Sequence, residues 1–143
     1  MPPVDFYILH TQFLQAKEHL AIQLADKAWH QGYRVHIHTD SITSAQRLDV
    51  TLWTFKDESF LPHDIYPLIN NSKAPIQIGY TSQISEGMNV LINLTEMVPP
   101  NFEQFERIAD IVDDTHRGRE AGRTRYRFYR DRNYVLRVHD INR

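Results

Sequence analysis

VDFYILHTQFLQAKEHLAIQLADKAWHQGYRVHIH, residues 4–38, reads as strand, helix, strand. Five of the first six residues, Asp5 apart, are β-branched, aromatic or aliphatic, which is consistent with a buried strand. Thr11 can cap a helix, and from residue 12 to 31 the apolar positions Leu14, Ala21, Leu24, Ala25, Ala28 and Trp29 recur at three- and four-residue spacing. That spacing predicts a helix of about 20 residues. Gly32 stands where the left-handed residue after a helix belongs. Residues 33–38 (YRVHIH) alternate and give the second strand. Two strands joined by a helical crossover lie parallel, so the chain begins as a βαβ unit.

The rest continues the alternation. Ser41 or Thr43 can cap a second helix running to about Phe55, with Ala45, Leu48, Leu52 and Trp53 inward. Residues 56–75 show no period, and an irregular stretch of that length points to a functional loop. Residues 76–80 and 89–94 read as strands, residues 101–106 as a short helix capped by Asn101, and residues 108–112 as a further strand. An Arg-rich helix over residues 115–130 and a strand over 134–138 close the chain. The expectation is one α/β domain over residues 1–143, Rossmann-like, with a mostly parallel twisted sheet and helices on both faces.

Charge is distributed unevenly. The net is −2 overall, yet residues 107–143 hold ten arginines, no lysine and six acids, while residues 1–106 hold six basic and twelve acidic residues. A body of −6 with a last quarter of +4 suits an anionic partner, and Arg is the residue whose planar fork matches carboxylates and phosphates. There is no Cys, so thiolate chemistry and disulfides are excluded. No apolar run approaches the roughly 20 residues of a membrane span, and the amino terminus lacks a signal-peptide pattern, so a soluble cytoplasmic protein is expected.

Nothing marks an enzyme. The five glycines form neither G-x-G-x-x-G nor a phosphate loop, and there is no nucleophile elbow. His36 and His38 share a strand face but lack a third ligand at metal-binding spacing, so neither a metal nor a cofactor is expected. Arg119, Arg123 and Arg127 share a helix face with Tyr126 beside them, and Val112 ends the preceding strand. Such a notch, apolar and rimmed by guanidinium groups, suits an acidic peptide ending in an apolar residue. The alternative is direct binding of single-stranded nucleic acid, because RTRYRFYR interleaves Arg with Tyr126, Phe128 and Tyr129; Phe128 or Tyr129 is expected to face inward. A second candidate surface lies around Trp53, Phe55 and Phe60.

The start DFYIL, the A-W-x-x-G-Y-R-V that ends the first helix, the block LDVTLWTFKDESFLPH at residues 48–63 and the later RYRFYR together resemble the chi subunit of bacterial DNA polymerase III over nearly the whole chain. The resemblance implies a small Rossmann-like protein without catalytic activity. It implies two partners, the psi subunit of the clamp-loader complex and the acidic carboxyl-terminal tail of single-stranded DNA-binding protein, which ends in Pro-Phe. In some members the psi surface also engages an accessory helicase. DNA is then met only indirectly. Carried to this sequence, the tail pocket falls on Val112, Arg119, Arg123 and Tyr126, with Arg123 on the terminal carboxylate, and the psi surface on Trp53 and Phe60. Arg119 stands where the family also uses Lys, and residues after Arg130 fit the pattern loosely.

Overall fold

The computed structural model describes residues 2–13, 15–54, 61–69 and 71–142. Among these residues seven strands form one sheet: β1 (Pro3–Leu9), β2 (Val35–His38), β3 (His63–Tyr66), β4 (Ile76–Gly79), β5 (Val90–Asn93), β6 (Arg107–Val112) and β7 (Val135–Ile141). Their order is β3-β4-β2-β5-β6-β1-β7, and every pairing is parallel. β1 and β2 are parallel as expected but not neighbours; β6 and β5 lie between them.

Alternation along each strand sends side chains to two separate cores. On one face Val35, Ile37, Ile76, Ile78, Ile92 and Ile111 meet α1 (Ala16–His30) and α2 (Ile42–Thr54) through Leu20, Ala21, Ala25, Leu48 and Leu52. On the other, Val4, Phe6, Leu91, Ile108 and Val112 meet α3 (His116–Asp131) through Tyr129. β2, β4 and β5 are buried at all four positions, including the polar His36, His38, Gln77 and Asn93.

The helix ends obey local chemistry. After α1 the Gly32 N–H bonds the Trp29 carbonyl (2.9 Å) and the Tyr33 N–H bonds the Ala28 carbonyl (3.0 Å), with Gly32 at φ 91°. This is a Schellman closure, and a side chain at Gly32 would strain it. Ser41 Oγ accepts from the Ser44 N–H (3.1 Å), capping α2.

Three expectations need correction. α1 has fifteen residues and begins at Ala16, entered through Gln15 in the left-handed region with no side-chain cap. Thr11 does not cap it, and Gln12 instead donates to the Asp114 carbonyl (3.0 Å), tying this stretch to the entry of α3. The expected loop over 56–75 contains β3, and the short helix after Asn101 is a single 3-10 turn, Phe102–Gln104, whose preceding Asn101 donates to the Ser82 carbonyl rather than capping.

His36 and His38 do share a face, stacked at 5.7 Å, and His36 is fully buried in the space left by Gly79, where a Cβ would fall 2.2 Å from the imidazole. Neither His36 ring nitrogen finds a hydrogen-bond partner among the described residues. Burial, with the neighbouring His38 adding to it, holds the His36 pKa down at about 3. The unfolded chain, titrating near pH 6.5, binds a proton that the fold refuses, so stability falls as pH drops from about 6.5 toward about 3. Urea unfolding should show a loss of about 2 kcal/mol between pH 7 and pH 5 from this group, and a correspondingly shallower pH dependence in His36→Phe.

Candidate peptide-binding cleft

The residues of interest lie on α3, a helix of unusual polarity: HRGREAGRTRYRFYRD. Thr115 caps it, its Oγ1 accepting from the Gly118 N–H at 2.9 Å. With so few apolar residues, something other than a greasy stripe must seat it on the sheet. Its buried positions are Gly122, Arg125 and Tyr129. A Cβ on Gly122 would come within 2.9 Å of Val112 Cγ2, so the missing side chain lets the helix backbone rest directly on β6. Val112 therefore sits beneath the second turn of the helix. Tyr129 fills the core between Phe6 and Tyr134, and burial raises its hydroxyl well above the usual tyrosine range.

Arg125, 3% exposed, is the anchor. Its Nε donates to Asp110 Oδ1 and Oδ2 at 3.0 and 2.9 Å, and its Nη1 donates to the Glu96 carbonyl at 2.7 Å. Asp110 is fully buried on β6, and burial pushes its carboxyl upward against the opposing pull of Arg125 and Asn93. The guanidinium fork and the carboxylate satisfy one another in a site that water does not reach.

Over the sheet this leaves a cleft of about 360 Å³. Phe6, Ile8, Val112 and Val138 form its floor, from β1, β6 and β7; Arg119, Gly122, Arg123 and Tyr126 form its helical wall. All four residues singled out from the sequence thus line one opening. Tyr126 is half-buried with its ring 5.3 Å from Phe6, leaving an apolar bed beside the arginines. Arg127, grouped with them by spacing, does not line it.

The arginines of the last quarter are not equivalent. Arg117 pairs with Glu96, Arg125 with Asp110, Arg130 with Asp131, and Arg137 with Asp5. Arg132 lies over the Phe128 ring at 3.4 Å. Arg119 commits Nη2 to the Leu9 carbonyl (2.7 Å) and to Asp114 Oδ1 (2.9 Å). Either two-point grip of a guanidinium on a carboxylate needs that nitrogen, so Arg119 has only single contacts left to offer. Arg123 is exposed and has neither hydrogen bond nor ion pair among the described residues, so its whole fork is available. The aromatic interleaving is largely structural: Tyr129 is in the core, Phe128 is covered by Arg132, and Tyr126 belongs to the cleft.

The second surface lies elsewhere. Trp53, on α2, is 57% exposed with its ring 4.9 Å from His63 of β3. It stands at the opposite end of the sheet from the cleft and over the other face. Phe60 and Phe55 lie outside the described residues. Among the described residues no three His, Cys, Asp or Glu side chains converge as metal ligands, and no helix is long and apolar enough to cross a membrane. Phe6, Ile8, Gly122 and Val138 were missed from the sequence; only Gly122, a glycine inside a helix, carried a signal of close approach.

The family model for the DNA polymerase III chi subunit, HolC, matches residues 1–137. DNA polymerase III subunit chi of Pseudomonas aeruginosa is 34% identical over 143 residues, covering 100% of this chain and 99% of that protein. The Escherichia coli K12 protein of the same name is 30% identical over 135 residues, with 91% and 92% covered. That of Haemophilus influenzae is 27% identical over 138 residues, with 96% of each covered. Among solved structures, the crystal structure of T4 UvsW superposes with a TM-score of 0.68 at 10% identity over 99% of this chain, which spans 41% of that one. This last likeness shows the fold alone.

Replacing Arg125 by Met would strand a buried carboxylate, and chemical denaturation should show a loss of about 3–5 kcal/mol. The double replacement Arg125→Met, Asp110→Leu should regain most of it, since the orphaned charge is then gone.

Proposed function

Because the chain belongs to the DNA polymerase III chi subunit family, we propose that it serves the replicase as a non-catalytic adaptor. In this reading the cleft holds the acidic carboxyl-terminal tail of single-stranded DNA-binding protein. The surface around Trp53 and Phe60 holds the psi subunit, or an accessory helicase in its place, so that DNA is reached only through partners. Such a protein works in the cytoplasm.

The observation that carries the tail assignment is the pairing, in one cleft, of an apolar bed with an arginine whose fork is uncommitted. A tail ending in phenylalanine presents an aromatic ring and a free carboxylate on the same residue. The ring is offered a bed of Val112, Phe6 and Tyr126, whose two aromatic rings already meet at a tilt. The carboxylate meets Arg123 in a charge-assisted, two-point contact. Arg119 contributes positive field beside that carboxylate and one further single hydrogen bond to it. The covered state of Phe128 and Tyr129 favours a peptide over stacked bases.

Fluorescence anisotropy with a labelled tail peptide tests this. Arg123→Ala should weaken binding roughly tenfold to a hundredfold, the equivalent of about 1.5–3 kcal/mol, and Arg119→Ala should cost less. Affinity should fall as salt rises, since the rim is open to solvent. Equal affinity of wild type and Arg123→Ala would remove the tail from this cleft. Trp53→Ala should leave the tail affinity unchanged and reduce recovery of psi in a pull-down; full retention of psi would remove Trp53 from that surface.

A further inference from the structure

The sheet has two edges of unlike construction. At one, β3 is four residues long, preceded by Pro62 and followed by Pro67, so it offers few backbone groups to a newcomer. At the other, β7 is seven residues long, contains no proline and, among the described residues, pairs on one side only, with β1. Long edges are usually blunted by charge, proline or a covering element, because their unpaired N–H and C=O groups invite another strand. β7 carries charge at Arg137, His139 and Asp140, but these are turned to Asp5 and His10, and the strand also exposes Val135 and Val138, at 57% and 54%.

We propose that the outer edge of β7 is a strand-addition site, along which the acidic peptide held by the cleft pairs as an eighth, parallel strand. This rests on the cleft being the tail-binding site and extends that reading from the peptide's last residue to those upstream.

The parity of β7 supports the geometry. The His10 N–H donates to the Ile141 carbonyl at 2.9 Å, which turns the backbone of Ile141 toward β1. Successive residues of a strand point their backbone groups to alternate sides, so Leu136, Val138 and Asp140 present theirs to the open edge. Val138 therefore does two things at once: its side chain is part of the cleft floor, and its N–H and C=O face outward. A chain leaving the cleft over Val138 meets backbone groups ready to pair.

Charge sets the direction. Arg119, Arg123, Tyr126 and Arg130 succeed one another at intervals of four, three and four residues, one stripe of α3 that runs from the cleft toward the start of β7. Arg132 lies next to that start, whereas Asp140 stands at the far end, held by His10 at 2.8 Å. An acidic segment is drawn toward Val135 and away from Asp140. With its carboxyl end at Arg123, it then runs in the same sense as β7.

The test compares two synthetic peptides on the full-length protein: one of only the last few residues ending in Pro-Phe, the other extended upstream with acidic residues. The longer should bind about tenfold more tightly, a gain worth roughly two backbone hydrogen bonds. N-methylation of alternate upstream amides should abolish that gain on the wild-type protein, with no change to the fold. Val138→Pro should do the same, because its lost N–H faces the open edge, while Val138→Ala should weaken both peptides alike and keep the difference between them. A gain that survives N-methylation, or peptides of equal affinity, overturns strand addition and leaves the cleft standing. Failure of the short peptide to bind, or indifference of its binding to Arg123→Ala, overturns the cleft reading and this proposal with it.

Discussion

The contact between the Arg125 guanidinium and the Asp110 carboxylate decides where α3 lies, and with it the shape of everything on that side of the sheet. A helix with sixteen residues of this polarity has little hydrophobic reason to dock. Tyr129 and the bare backbone at Gly122 supply close contact, but neither dictates the position along the strands. A two-toothed ionic contact does, because its geometry is satisfied at one register only. With α3 so placed, the gap between its wall and the floor of β1, β6 and β7 is determined to the width of a side chain.

The same sorting of charge explains why a strongly basic last quarter leaves so few guanidinium groups uncommitted at the cleft. Most of its arginines meet acids of the protein itself: Asp5 gathers Arg137 and His139, Glu96 takes Arg117, and Asp114 takes Arg119. Asp5 is instructive, since burial raises its carboxyl and the hydrogen bonds from Arg137 and His139 outweigh that, leaving it below the ordinary carboxylate range. Formal charge summed over a segment overstates the field that an incoming ligand meets. What such a ligand can use is a cation whose hydrogen-bonding directions are unclaimed, and among the described residues Arg123 is in that position.

Much of the fold was legible because buried parallel strands and crossover helices leave strong local traces. The runs at residues 4–9 and 89–94 and the helical spacing before Gly32 are of that kind. β3 was not legible: HDIY is short, mixed in polarity and set between prolines, and its strand character comes from pairing with β4. The start of α1 was misplaced because Thr11 is a good cap in isolation, whereas contact with α3 claims Gln12 for another purpose. At the cleft, helical spacing was enough to bring Arg119, Arg123 and Tyr126 together, and the family resemblance supplied the same set. The floor was not foreseeable, since Phe6, Ile8 and Val138 belong to strands whose neighbours only the sheet order reveals. A helical wheel does set Arg125 on the face of Gly122 and Tyr129, opposite Arg123, but it gives no reason to bury an arginine, because the Asp110 that receives it comes from β6.

The order β3-β4-β2-β5-β6-β1-β7 sets the ends of the polypeptide's middle and last segments six inter-strand steps apart, on the order of 29 Å. α2 and Trp53 ride one margin and one side; the arginine wall rides the other margin and the reverse side. Bodies seated at both margins would not touch, and neither would need the other to loosen its hold. A stiff plate of this width would hold two such bodies at a fixed separation.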